Sequence, residues 1–141
     1  MKASDLIKRE ILKNVSSIID RYREDHNQPN PIPSALDSPE VIAAMIEKLG
    51  DTPPFDDYFD DAANDFRDDF SHETGIGDGG SLHYESKGVA RQIGEHWVGW
   101  TYWYGGGKYG DPDSIEWIDD AVFLDATEKQ ITTYEFKELK G

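Results

Sequence analysis

The sequence predicts an α+β domain in which about three N-terminal helices pack on one face of a C-terminal antiparallel sheet of about four strands. Three observations carry this. Apolar residues recur at intervals of three and four as far as about residue 70, and alternate with polar ones beyond about residue 81. The change of period falls at a glycine-rich break, "ETGIGDGGS", with four glycines between Thr74 and Ser81. A chain of 141 residues with 37% hydrophobic residues and four tryptophans suffices for one core. Residues 1–141 are therefore expected to form a single domain, helical over 1–72 and β over 81–140.

The first helix is expected from Ser4 to about Glu24, with Ser4 or Asp5 as its cap. Ile7, Ile11, Val15, Ile18, Ile19 and Tyr22 form its apolar stripe. The prolines at 29, 31 and 33 in "DHNQPNPIPSALD" then demand an extended connector. In "SPEVIAAMIEKLG" Ser38 caps a second helix, Pro39 opens it and Gly50 ends it, with Ile42, Met45, Ile46 and Leu49 as its buried stripe. A third helix should start near Pro53 or Pro54 and reach about Phe70. Steps of about 100° place Phe55, Tyr58, Phe59, Ala62, Ala63, Phe66 and Phe70 in one arc and nearly all the aspartates in the other.

Four stretches then read as a meander of strands: "SLHYESKGVARQI", "HWVGWTYWY", "DDAVFLDA" and "KQITTYEFKEL". "ATEKQ" is short enough to close the last hairpin. In the second strand Val98, Trp100, Tyr102 and Tyr104 share one face, and Trp97, Thr101 and Trp103 the other. One face should be core, and the other is available for stacking on a partner.

The formal net charge is −15, and it is unevenly spread. Residues 1–50 carry 7 basic and 8 acidic side chains, 51–78 carry 1 and 10, and 79–141 carry 6 and 11. Such a surface repels nucleic acid and anionic membrane, and attracts basic protein surfaces in fast, salt-sensitive association. The absence of cysteine rules out disulfides and thiolate zinc sites. "MKASDLIKREILKNV" never runs seven apolar residues together, so neither a signal-peptide core nor a membrane span is expected there, and the expected location is cytoplasmic.

Most catalytic and cofactor patterns fail on spacing. "YGGGKYG" places Lys108 after three glycines, but Tyr109 stands where a phosphate loop needs Ser or Thr, and Gly110-Asp111-Pro112 breaks the helix that should follow. His26, His72, His83 and His96 lack zinc spacing, and "DPDSIEWIDD" lacks the glycine and glutamate of a calcium loop. No nucleophile motif is present, so no metal, no cofactor and no enzyme activity is expected. A small-ligand or enzyme site would fall on the glycine-rich segments around His83 and Lys108, with Glu85 beside His83.

The third helix is the distinctive feature. Asp56, Asp57, Asp60, Asp61, Asp65, Asp68 and Asp69 form four like-charge pairs at i, i+4 and two at i, i+3. At a few tenths each, they oppose the helix by on the order of 2 kcal/mol. Seven carboxylates over about 20 Å give one charge per roughly 3 Å, close to the phosphate spacing of a DNA strand. Two blander uses are a solvated face that keeps the chain soluble, and neutralisation by Lys8, Arg9, Lys13 and Arg23 of the first helix.

The expected function is a small acidic protein-binding module, an inhibitor or DNA mimic that occupies a basic, nucleic-acid-binding surface of another protein. Phage- and plasmid-borne anti-defence inhibitors use that strategy. The seven aspartates would supply the field, and Trp100, Tyr102, Trp103 or Tyr104 the desolvated anchor. A structural alternative is a self-associating subunit with an exposed aromatic sheet face.

Overall fold

The computed structural model describes residues 1–25, 28–77, 79–80, 83–105 and 110–139. Three helices precede an antiparallel sheet: α1 (Ala3–Arg21), α2 (Pro39–Gly50) and α3 (Phe55–Asp68), then β1 (His72–Glu73), β2 (Gly79–Gly80), β3 (Glu85–Ile93), β4 (His96–Tyr104) and β5 (Val122–Leu124). This is the predicted α+β arrangement. The sheet order is β1-β3-β4-β5, with β2 also on β3, and β3 and β4 form a nine-residue hairpin from Glu85↔Tyr104 to Ile93↔His96.

The helices form where the apolar stripes lie. α1 buries Leu6, Ile7, Ile11, Leu12, Val15 and Ile19, whereas Tyr22 is exposed beyond its end. Lys2, rather than Ser4 or Asp5, is its N-cap residue. Asp5 instead reaches back to accept the Lys2 backbone N–H at 2.9 Å, satisfying a donor that the first turn leaves open. α2 starts as expected, with the Ser38 hydroxyl accepting the Val41 N–H at 3.2 Å. Gly50 is the last helical residue, and Asp51 follows as its C-cap.

The connector between α1 and α2 is tied down by Asn30. Its side-chain amide donates to the Ser16 hydroxyl at 2.9 Å and to Asp20 at 3.1 Å on α1, while Ile32 and Leu36 enter the core. Helices and sheet thus share one cluster, in which Phe55, Ala62 and Phe66 of α3 meet Val89, Ile93, Val98 and Trp100. The Phe66 ring lies 5.3 Å from Trp100 and 6.1 Å from Trp117, the second of these stacked.

Two strand expectations need correction. The break after α3 is not wholly irregular, because His72–Glu73 and Gly79–Gly80 each add a short rung to β3. The predicted last strand over "KQITTYEFKEL" does not form: residues 125–139 carry no helix or strand. Alternation makes a segment competent for pairing but does not by itself secure a partner strand.

The helix-free face of β3 is closed by the chain between β1 and β2. A Cβ on Gly88 would stand 2.5 Å from the Thr74 hydroxyl and closer still to the Ile76 carbonyl, so the loop fits only over glycine. Thr74 N–H also donates to the Gly88 carbonyl at 2.9 Å. Gly88→Ala is expected to lift this loop and cost about 1–3 kcal/mol of stability, read as a lowered urea midpoint with an unchanged slope.

Candidate functional site

α3 ends at Asp68, with Asp69 as its C-cap, so the aspartates divide by environment. Asp57, Asp60, Asp61, Asp65, Asp68 and Asp69 are exposed, and Asp56 is half-buried with its Oδ1 shielded and unpartnered. Asp68 and Asp69 sit at the negative end of the helix dipole, and each has a counterion: Arg67 at 3.1 Å and Arg91 at 3.3 Å. Asp57, Asp60, Asp61 and Asp65 take part in no ion pair among the described residues. Among the described residues none of Lys8, Arg9, Lys13 and Arg23 forms an ion pair with them. Lys8 instead reaches Asp119 at 3.2 Å and Lys13 reaches Glu10 at 3.3 Å, which goes against the alternative of neutralisation by the first helix.

Arg67 is the side chain that holds the acidic helix to the sheet. It is buried; its guanidinium donates to the Trp103 backbone carbonyl and lies 4.2 Å over the Tyr102 ring. The bond is reciprocated, since the Trp100 indole N–H donates to the Arg67 carbonyl at 3.3 Å. That carbonyl belongs to the last turn of α3, where no helical N–H remains to meet it. Arg67 has no acidic neighbour three or four residues away, so helical spacing gives no hint of this role. Its being the lone cation of residues 51–78 was the available signal.

Comparison with protein-family models, curated proteins and solved structures finds no match. Geometry and charge therefore carry the functional reading.

Of the expected aromatic anchors, Trp100 must be withdrawn. It is 4% exposed because Phe66 and Trp117 cover it, so no partner reaches it without opening the core. Tyr102 is half-buried, edge-on to Phe70 at 5.1 Å, and Trp103 is half-buried on the opposite face. Tyr104 is the most open of the four at 36%. Lys87, opposite Tyr102 in the ladder, lies 5.1 Å from the Phe70 ring and 5.6 Å from both tyrosine rings. A 2.6 Å hydrogen bond to Glu73 raises its pKa above the ordinary 10.5, so it stays charged throughout the neutral range.

Two cavities lie elsewhere, the larger on the helix-free side. Volumes of about 580 and 990 Å³ flank Trp97, which meets His72 edge-on at 5.3 Å. The larger is floored by Ala90 and walled by Ile76 and the 124–129 segment. Alternation sets Trp97 on the face opposite Trp100, with nothing in the sequence to mark which face the helices cover. At the small-ligand position, His83 and Glu85 are exposed, and Lys108 lies outside the described residues, as do Ser81 and His26. Among the described residues no three metal-ligating side chains converge, and no helix is long and apolar enough to cross a membrane.

Proposed function

We propose that this protein is an acidic binding module that occupies the basic, nucleic-acid-binding surface of another protein, acting as a decoy in the manner of phage or plasmid anti-defence inhibitors. It would do so in the cytoplasm and without enzymatic activity. The observation that carries the reading is the row Asp57, Asp60, Asp61 and Asp65, exposed and without ion-pair partners among the described residues, on a helix anchored to the sheet. A row serving only solubility has no need to be held rigidly, and one neutralised within the fold would have spent its cations there. Tyr104, beside Tyr102 at the end of β4, supplies an apolar contact at the edge of the same side of the sheet.

The test is retention of a basic nucleic-acid-binding enzyme on the immobilised protein, with a DNA oligonucleotide as competitor. Binding is expected to weaken as salt rises and to be displaced by the DNA. The triple variant Asp60→Asn, Asp61→Asn, Asp65→Asn leaves the Arg67 and Arg91 pairs intact and should bind at least about tenfold more weakly, a change of about 1.4 kcal/mol. Undiminished binding by the triple variant, or no competition by DNA, would overturn the reading.

A further inference from the structure

The end of the chain is where side chains and surroundings disagree most. Ile131, Tyr134, Phe136 and Leu139 are 83%, 77%, 87% and 93% exposed, in a segment with no helix or strand. Leaving such side chains in water forfeits the hydrophobic stabilisation that their burial would give. Yet the segment has the composition of a strand: in "QITTYEF" β-branched and aromatic residues predominate, and Tyr134 and Phe136 share a side with rings 6.1 Å apart.

The complementary feature is β5. It ends the sheet, is three residues long, and exposes Val122 and Phe123 at 51% and 46%. A short edge of this kind offers backbone donors and acceptors to an added strand. The chain thus carries both a strand lacking an edge and an edge lacking a strand.

We propose that residues 129–139 form a sixth strand on the outer edge of β5 in a second copy of this chain, exchanged reciprocally across a two-fold axis. A second copy satisfies both features at once with no third component, as an isologous interface requires. Charge on the segment does not oppose it. Lys129 and Lys137 balance Glu135 and Glu138, so the segment is neutral within a chain of net charge −15. The area suffices too: four side chains at about 150 Å² each bury roughly 600 Å² per copy, or about 1,200 Å² in all, the lower bound for a specific interface. This pairing is independent of the acidic-face reading.

The experiment is sedimentation equilibrium of the full chain from about 1 to 500 µM, at 0.15 M salt. A mass of twice 16.0 kDa is expected at the upper end. Tyr134→Lys with Phe136→Lys is expected to weaken the dimer at least a hundredfold and return the mass to 16.0 kDa. Neither residue touches the core, so the melting temperature of the dissociated variant should match that of the dilute native chain. Isotope-filtered NMR on mixed labelled and unlabelled protein should give contacts between 131–139 of one copy and 122–124 of the other. A monomer at every concentration, a dimer unaffected by the two lysines, or contacts confined within one copy would each overturn the proposal.

Discussion

Phe66→Ala is expected to destabilise the protein by about 3–5 kcal/mol, the range for emptying an aromatic core site. The ring is 1% exposed and is shared among three partners, with Trp100 and Trp117 on the protein side and the Arg91 guanidinium 4.6 Å from its centroid. Its neighbours cannot collapse into the space freely, because Trp100 is fixed by its bond to the Arg67 carbonyl and Arg91 by Asp69. The loss should therefore fall toward the upper end of the range. Urea unfolding followed by tryptophan fluorescence would measure it, and Phe66→Leu should recover more than half. A loss below about 1 kcal/mol would mean that α3 does not depend on this contact.

Removing the acidic row should do the opposite. Asp60→Asn, Asp61→Asn and Asp65→Asn together eliminate all six like-charge pairs of the helix, at little change in intrinsic helix propensity. Two of those pairs involve Asp68 and Asp69, whose repulsion Arg67 and Arg91 already offset. The expected gain is thus about 1–2 kcal/mol at low salt, a rise of several degrees in melting temperature. Near 1 M salt, where the screening length is about 3 Å, the gain should vanish. Calorimetry at the two ionic strengths measures both values. A variant that is more stable yet binds a basic partner less well separates a functional array from a structural one.

Much of the fold was legible because long apolar stripes leave little choice. The α2 cap at Ser38, the α3 arc from Phe55 to Phe66 and the β3-β4 hairpin all follow from spacing and turn chemistry that act over a few residues. What was not legible depends on distant partners. Arg67 is buried in the helix because a strand carbonyl and a tyrosine ring wait for it some 35 positions later. Gly88 is required by Thr74 and Ile76 crossing above it, and nothing in the neighbouring residues announces that. Trp100 and Tyr104 look equivalent in an alternating strand. Only the position of Phe66 and Trp117 makes one core and leaves the other open. The acidic row could be read from sequence as a helical face, whereas its lack of ion pairs among the described residues could not.

The latch between Arg67 and β4 has a consequence for the charge array itself. A 14-residue segment rich in mutually repelling aspartates sits at the lower limit for an isolated helix in water, and released from the sheet it would extend. Extended, the span from Asp56 to Asp69 would lengthen from about 20 Å to roughly 43 Å and the charge spacing would double to about 6 Å. The sheet thus acts as a condenser of charge. Tertiary packing holds α3 folded against its own repulsion and keeps its carboxylates at about half the spacing they would have in an extended chain.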